Sequence, residues 1–211
     1  MSDNTNKRFL YKEDDNGGEI TIFGYEGTDT VLYIPRSFQD LPVTAIDAGT
    51  FYKCRSIATV IIPYTVMVIH SDAFAYCPNL RAVHMPNGIM TIEYGAFAGC
   101  RKLEKVNIPC ELDYIPEFMF YGCSSLKDII IPYIENIDIG DHAFYGCNNL
   151  DDGLKEQIKS INKRAFMPRE VYCEVFSGVD INDDFPDDEI YDNITDNSKY
   201  VEVIRNSDRI K

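Results

Sequence analysis

The sequence is poor in positive charge and contains no long apolar segment. Its 211 residues include 20 Lys and Arg against 34 Asp and Glu, so the net charge is −14. A field of this sign repels phosphate, which argues against direct binding of nucleic acid or anionic lipid and favours a partner protein with a basic surface. Because no stretch approaches the roughly 18 consecutive apolar residues that a membrane span needs, we expect no insertion into a membrane.

The sequence also lacks the apolar core of a signal peptide. Residues 1–19 are mostly polar or charged, which predicts a cytoplasmic protein from the sequence as written. If a leader has been removed, a cell-surface or secreted location is expected instead. The seven cysteines are an odd number in a chain without a leader, and this disfavours a disulfide framework.

A motif recurs along the chain at intervals of 23 or 24 residues. Each copy has Phe-x-x-Cys followed three residues later by an aliphatic residue, and the first four copies continue into an aliphatic-x-aliphatic-Pro segment. An Ile precedes each Phe by five residues, and residues 161–166 form a degraded sixth copy. The five clear copies carry Phe51 and Cys54, Phe74 and Cys77, Phe97 and Cys100, Phe120 and Cys123, and Phe144 and Cys147.

This repeat predicts a β-rich solenoid. A coil of 23 residues cannot bury its apolar positions alone, so it buries them against its neighbours. The alternation in Val60-x-Ile62 and its equivalents predicts a short strand with one buried face, and the proline after it marks where the strand stops. The Phe and Cys positions should form buried columns, and Gly99, Gly122 and Gly146 before Cys predict a turn with positive φ or tight contact between coils.

The pattern A-F-x-G-C-x-x-L-x-x-V-x-I-P-x-x-V-x-x-I resembles the BspA-type leucine-rich repeat of bacterial surface proteins, over residues 18–166. Residues 18–46 resemble the first coil usual in that family. The resemblance implies a curved leucine-rich-repeat coil stack, capped at both ends, with a parallel β-sheet on its concave face. It also implies a binding module, such as an adhesin for host matrix proteins, without a catalytic motif.

We expect three regions along the chain: an N-terminal extension over residues 1–17, a solenoid of five to six coils with caps over residues 18–174, and an acidic tail over residues 175–211. Residues 180–211 hold 10 acids and 4 bases, so they carry −6 of the net charge. They also keep many apolar residues. Two interpretations stay open: part of the tail packs back on the solenoid or docks on a partner, or the tail is only solvated.

Both ends of the solenoid are expected to be capped, because a terminal coil otherwise exposes a core face. Residues 8–34 predict strands and turns in a hairpin-like arrangement. Residues 151–161 predict a helix, with acids at its start and Leu154, Ile158 and Ile161 on one face.

The cysteines and histidines do not predict a metal, cofactor or catalytic site. The repeating cysteines occur once per coil, so they form a ladder of buried apolar side chains and do not converge around a metal. Cys110 and Cys173 lie off this column and could be exposed and reactive. The histidines His70, His84 and His142 belong to different coils, and no nucleophile motif accompanies them.

The outward positions of the strands are the candidate partner-binding residues. If the repeated apolar residues point inward, the positions between them point outward, and these vary from coil to coil. Several are aromatic or aliphatic, the types that dominate binding energy at interfaces. The candidates are Tyr33, Ile61, Tyr64, His84, Asn107, Ile130 and Tyr133.

These observations predict a non-enzymatic module that binds a partner protein through the concave strand face. One alternative is an acidic inhibitor that mimics nucleic acid against a basic nucleic-acid-binding enzyme, with Asp183, Asp184, Asp187, Asp188 and Glu189 of the tail as its candidate residues. Another alternative is a bacterial surface adhesin whose leader is missing from the sequence.

Overall fold

The computed structural model describes residues 8–14 and 17–168, which form thirteen β-strands and one α-helix. The predicted tail, Cys173 and most of the predicted N-terminal extension lie outside the described residues. The described strands form a five-stranded sheet, a six-stranded sheet and a two-stranded sheet.

The five-stranded sheet, here called the repeat sheet, consists of one strand per coil. Neighbouring strands are parallel and in register, so that Val60 pairs with Val83 and Val106 with Ile129. Every strand ends two residues before a proline, as the repeat predicts. In spatial order the strands are β3 (Val31–Tyr33), β6 (Thr59–Ile61), β8 (Ala82–His84), β10 (Lys105–Asn107) and β12 (Asp128–Ile130).

A second row of strands follows the repeat sheet in each coil, and the sequence pattern did not predict it. Its inward residue is the Ile that precedes each Phe by five positions, and all five of these are buried. Most of its strands have only two residues, too few to show an alternation in sequence. The six-stranded sheet contains β1 (Phe9–Glu13), β2 (Ile20–Tyr25), β4 (Ser37–Phe38), β5 (Leu41–Ile46), β7 (Val68–Ile69) and β9 (Thr91–Ile92), and β11 (Tyr114–Ile115) pairs with β13 (Asp138–Ile139).

The predicted Phe column forms the centre of the core. All five rings are buried, and the first four each stack on the ring of the next coil. The ring centroids are 4.8 Å apart for Phe51 and Phe74, 5.4 Å for Phe74 and Phe97, 6.0 Å for Phe97 and Phe120, and 5.5 Å for Phe120 and Phe144. Each buried aromatic side chain stabilises the fold by about 2 kcal/mol through removal of its surface from water.

The predicted cysteine column is also confirmed, and its thiols make a repeated hydrogen bond. Cys77, Cys100, Cys123 and Cys147 are buried, and the Sγ of each donates to the carbonyl oxygen of the Phe in the preceding coil, at 3.1 to 3.2 Å. Cys54 belongs to the first copy and is only partly buried, with its Sγ 3.4 Å from Ser56 Oγ. A small apolar residue with a weak donor suits this position.

The glycines before the cysteines adopt the predicted left-handed conformation. Gly99, Gly122 and Gly146 have φ values of 70°, 73° and 76°, and Tyr76 has a φ of 58° at the same place in its coil. A Cβ atom on Gly146 would lie 3.2 Å from Gly122 Cα. Glycine therefore meets two requirements here, a positive φ and close approach of neighbouring coils.

The N-terminal cap is the predicted hairpin-like arrangement. Strand β1 pairs antiparallel with β2, which in turn lies parallel to β5 and so joins the second row of strands. The residues of β1 fall within the range predicted as an N-terminal extension, and the boundaries of the three predicted regions stay a prediction.

The C-terminal cap contains the predicted helix, α1 (Asp152–Ile161). The Asp151 side chain accepts a hydrogen bond from Leu154 N–H at 3.1 Å and caps the helix. Ile158 is buried as expected. Ile161, which the sequence places on the same helix face as Leu154 and Ile158, ends the helix and is 36% exposed. The Asn162 Nδ2 donates to the Ile139 carbonyl at 2.8 Å.

Candidate functional site

The first and third residues of the repeat-sheet strands face outward and are exposed or half-buried, and the second residue faces the core. Leu32, Val60, Val83 and Val106 face the core, as predicted. The third residues form a continuous outer column, because Tyr33 pairs with Ile61, Ile61 with His84, and Asn107 with Ile130. The structure thus brings together the five candidates that lie within the strands.

Tyr64 and Tyr133 lie just after the proline of their coils, beside the outer column. They occupy equivalent positions three coils apart, so about 14 Å separates them at the strand spacing of a β-sheet. Tyr133 has a φ of 51° and precedes a 3-10 turn over Ile134–Asn136. These two tyrosines and the outer column are here called the strand face.

The strand face differs in exposure along its length. Tyr33, Ile130, Tyr133 and Tyr64 are between 61% and 72% exposed. His84 is exposed, whereas Ile61 and Asn107 are half-buried. The Asn107 Nδ2 donates to the Met85 carbonyl at 3.1 Å, so this side chain also joins two coils. The five candidates within the strands therefore line up on one side of the sheet, whereas the membership of Tyr64 and Tyr133 in this surface and the binding of a partner stay predictions.

The charges beside the strand face have both signs. Glu104 lies between the equivalent residues of the neighbouring coils, 2.6 Å from Arg81 Nη1 and 3.5 Å from Lys127 Nζ. These hydrogen bonds, first that from Arg81, lower the pKa of the Glu104 carboxyl. The next residues along the strands are Lys105 and Asp128, which also alternate in sign. Such exposed ion pairs contribute little to stability and give this surface a balanced charge.

The histidines lie in separate coils, and two have structural partners. His70 Nδ1 is 2.9 Å from Glu93 Oε1, and His142 Nδ1 is 2.8 Å from the Met167 carbonyl oxygen. Partial burial of Glu93 raises the pKa of its carboxyl, but the hydrogen bonds from His70 and Ser71 outweigh this and lower it overall. Within residues 8–14 and 17–168, no cluster of three or more His, Cys, Asp or Glu side chains could hold a metal ion.

Burial separates the thiols by reactivity. It raises the pKa of Cys123 well above its ordinary value and that of Cys147 to about 12. Cys110 is exposed, as the sequence suggested, and its Sγ lies 3.8 Å from Glu111 Oε1. Because the thiolate is the reactive form, we expect Cys123 and Cys147 to be inert, whereas Cys110 is the exposed thiol among the described residues.

Asp72 has a perturbed pKa, which the sequence analysis did not predict. It has a φ of 56° in the turn before Phe74, and burial raises the pKa of its carboxyl to about 6. A Cβ atom on Gly95 would lie 2.5 Å from Asp72 Oδ1, so the glycine leaves room for the carboxylate. Asp72 and Gly95 occupy the same repeat position in neighbouring coils. The sequence of one coil does not show that the two residues are in contact, so it could not predict this pKa.

The family model of the BspA type leucine rich repeat region matches residues 44–171 of the chain, in six copies. This range covers more than half of the sequence. No curated protein sequence matches the chain. No helix within residues 8–14 and 17–168 is long and apolar enough to cross a membrane.

Several solved structures share the fold. The leucine-rich repeat protein of T. pallidum is 23% identical with a TM-score of 0.56, over 74% of this chain and 94% of that chain. A leucine-rich repeat protein of Bacteroides ovatus is 23% identical with a TM-score of 0.54, over 68% of this chain and 44% of that chain. The pneumococcal vaccine antigen PcpA is 20% identical with a TM-score of 0.57, over 68% of this chain and 40% of that chain.

These likenesses support the fold, and the chain spans less than half the length of the last two proteins. Leucine-rich repeat proteins of this kind commonly act in protein interactions or at surfaces, and they are typically not enzymes. The six matched copies, the stacked parallel strands and the solved structures agree, and the chain belongs to the BspA-type leucine-rich repeat family.

Proposed function

We propose that the chain is a non-enzymatic module that binds a partner protein through the strand face. The observation that carries this proposal is the exposure of Tyr33 and Ile130 at the outward strand positions, together with that of Tyr64 and Tyr133 just after the strand prolines. Single exposed apolar residues are common on any protein. Here they occupy two neighbouring columns, and tyrosines in such a setting supply large contact area with a hydrogen-bonding group.

The contrast between inward and outward positions supports the same proposal. Inward positions hold Val or Ile, or a similar aliphatic residue, in every coil, because each must fill the same space in the stack. Outward positions change from Tyr33 to Ile61 to His84 to Asn107 to Ile130. A surface whose only task was solubility would favour Lys, Glu and Thr.

The charges near the strand face favour protein binding over mimicry of nucleic acid. A mimic needs rows of acids at a phosphate-like spacing, whereas the row of Arg81, Glu104 and Lys127 alternates in sign. The tail acids proposed for mimicry lie outside the described residues. We propose a partner with a basic surface because the net charge of −14 steers such a protein toward the chain.

The test compares strand-face variants with a matched tyrosine elsewhere. Y33A and Y64A remove exposed rings from the strand face, and Y114A removes an exposed ring from β11 in the second row. Proteins captured from the native lysate are quantified for all four chains, and the affinity of the recovered partner is then measured with pure proteins. We expect Y33A or Y64A to weaken binding about fivefold or more and Y114A to leave it unchanged. Equal binding by all four chains would contradict the proposal.

A further inference from the structure

The last strand of the repeat sheet has an open edge within the part of the chain that the structure describes. Strand β12 pairs with β10 on one side, where Asp128 N–H donates to the Glu104 carbonyl at 3.0 Å and Ile130 accepts from Ile108 N–H at 2.8 Å. Backbone groups of successive strand residues point in opposite directions. The N–H and C=O groups of Ile129 therefore point away from β10.

Inner coils show what normally fills this side. Ile62 N–H donates to the His84 carbonyl of the next coil at 3.0 Å, and the Ala58 carbonyl accepts from Arg81 N–H at 2.8 Å. The equivalent groups at β12 are the Ile131 N–H and the Lys127 carbonyl. No strand of residues 8–14 and 17–168 lies next to them, because the chain after Leu150 enters α1.

The open edge is also an apolar surface. Val60, Val83 and Val106 are almost fully buried between their neighbouring coils, and so are Ile62 and Ile108. The equivalent residues at the end of the repeat sheet are only partly buried. They are Ile129 and Ile131. Helix α1 packs against β13 and the 3-10 turn, so among the described elements it does not replace the missing strand.

We propose that this edge binds an extended segment of a partner protein, which adds to the repeat sheet as a sixth parallel strand. Addition of a strand satisfies the backbone groups of Lys127, Ile129 and Ile131 through main-chain hydrogen bonds, and alternate side chains supply specificity. The two inward side chains of the segment cover Ile129 and Ile131, so both are aliphatic.

The charge pattern of the coils defines the rest of the segment. Equivalent positions carry Arg81, Glu104 and Lys127 in one row and Lys105 and Asp128 in the next, so the sign alternates between neighbouring strands. An acidic residue therefore fits beside Lys127 and a basic residue beside Asp128. The expected segment therefore has an acidic, a basic, an aliphatic, a variable and an aliphatic residue in that order. The first two follow from the attraction between opposite charges on neighbouring strands.

Edge strands are often blocked by charge, proline or a bulge, and β12 carries no such feature beyond those that the inner strands also have. Pro132 follows β12 as Pro109 follows β10, and a charged residue begins both strands. The residue pattern of β12 is therefore that of an inner strand, and an inner strand pairs with a neighbour on each side. This site shares β12 with Ile130 of the strand face, but it uses the backbone edge and the inward residues Ile129 and Ile131, so it does not depend on Tyr33 or Tyr64.

The test uses the full 211-residue chain and a synthetic peptide containing Glu-Lys-Val-Thr-Val. A second peptide reverses Glu and Lys, and a third is N-methylated at Thr, the residue whose N–H would donate to the Ile129 carbonyl. Binding is measured by fluorescence anisotropy. We expect reversal to weaken binding about fivefold and N-methylation about tenfold, from the usual size of cross-strand pairs and of single hydrogen bonds. Equal binding of all three peptides, or of none, overturns the proposal.

Two protein variants and one spectroscopic measurement complete the test. D128K should weaken binding of the first peptide and strengthen binding of a peptide with Glu in place of Lys, whereas Y33A should bind as the native chain does. The peptide should slow hydrogen exchange of the Ile131 amide, followed by NMR. Slow exchange without peptide overturns the proposal, since it means that residues 169–211 or a second copy already fill the edge. If Y33A binds the peptide but not the partner protein, the result supports the proposed function and leaves the strand-addition proposal intact. If Y33A binds the partner as well as the native chain does, only the proposed function is contradicted.

Discussion

The Sγ of Cys100 donates a hydrogen bond to the carbonyl oxygen of Phe74, 3.1 Å away in the preceding coil. Both residues are buried, and the same bond recurs from Cys77, Cys123 and Cys147. Each thiol thus provides a donor to a carbonyl that neither strand row uses. The carbonyls of Phe51, Phe97 and Phe120 also accept from the backbone N–H of the cysteine in their own coil, so the thiol is a second donor there. For Phe74 the thiol of Cys100 supplies the cross-coil hydrogen bond that alanine would lack.

The first prediction concerns this bond. Cys100→Ala should lower the free energy of unfolding by about 1 to 3 kcal/mol, because it removes a buried donor and leaves a small cavity. Cys54→Ala is the matched control, since Cys54 is partly buried and its Sγ contacts Ser56. Urea unfolding followed by circular dichroism measures both. A loss of the same size in the two variants would show that the Phe74 carbonyl gains nothing from Cys100.

The second prediction concerns thiol reactivity. In a Cys173→Ser background, a thiol reagent at pH 8 should modify Cys110 within minutes, because this thiol is exposed. Cys123 and Cys147 should react only at the rate at which the chain opens, since burial raises the pKa of both thiols. Mass spectrometry of digested samples assigns each site. Rapid modification of Cys123 in folded protein would contradict a closed core.

The third prediction concerns Asp72, whose burial raises its pKa to about 6. The native state holds the Asp72 proton more tightly than the unfolded chain does, so the free energy of unfolding falls as the pH rises from about 4 to 6. The cost at pH 7 is at most about 3 kcal/mol. Asp72→Asn should remove it, and asparagine tolerates the φ of 56°. The variant should therefore be more stable than the native chain at pH 7 and equally stable at pH 4.

Asp47→Asn provides the control of opposite sign. Partial burial raises the pKa of Asp47, but the hydrogen bond from Lys12 Nζ at 2.6 Å helps to lower it overall. Asp47 therefore stabilises the fold above pH 4, and this stabilisation disappears as the pH falls through its native pKa. Asp47→Asn should cost up to about 1 kcal/mol at pH 7 and nothing at low pH. Urea unfolding between pH 3 and 7 measures both variants, and parallel curves would contradict the prediction for Asp72.

The sequence predicted the elements that repeat in every coil and missed those that depend on neighbours. The strand around Val60 follows from its alternation and from Pro63, and the column position of Cys77 follows from the 23-residue period. The strand of Val68 and Ile69 has two residues, so no periodicity marks it. The hydrogen bond between Cys100 and Phe74 joins residues of different coils, and no pattern within one coil contains it.

At the end of the solenoid two sequence patterns overlap. Ile161 has the spacing of the repeated Ile before Phe166, but it also continues the helical spacing from Leu154 and Ile158. These residues form a helix because Asp151 caps its N-terminus and the Ile158 side chain is buried. For the candidate site, the strand register aligns the outward residues of neighbouring coils, as the 23-residue period predicts. The hydrogen bond from Asn107 to Met85 could not be predicted, because it joins residues of different coils.

The fourth prediction concerns contact between coils. Gly146→Ala should destabilise the chain by more than about 2 kcal/mol, because it combines a φ of 76° with a Cβ atom 3.2 Å from Gly122 Cα. Gly49→Ala is the control, with a φ of 63° and no atom nearer than 3.9 Å to the new Cβ. It should cost about 1 kcal/mol. Thermal unfolding compares them, and equal losses would mean that backbone conformation alone selects glycine.

The fifth prediction separates binding from stability on the strand face. Tyr64 is 72% exposed, so Tyr64→Ala should change the free energy of unfolding by less than about 0.5 kcal/mol. Phe97→Ala, in the buried column, should cost about 3 to 5 kcal/mol. If Tyr64→Ala weakens partner binding without changing stability, the ring acts in the contact itself. A destabilisation by Tyr64→Ala comparable with that of Phe97→Ala would instead mean that the ring supports the fold, and Tyr64 would then leave the list of candidate contacts.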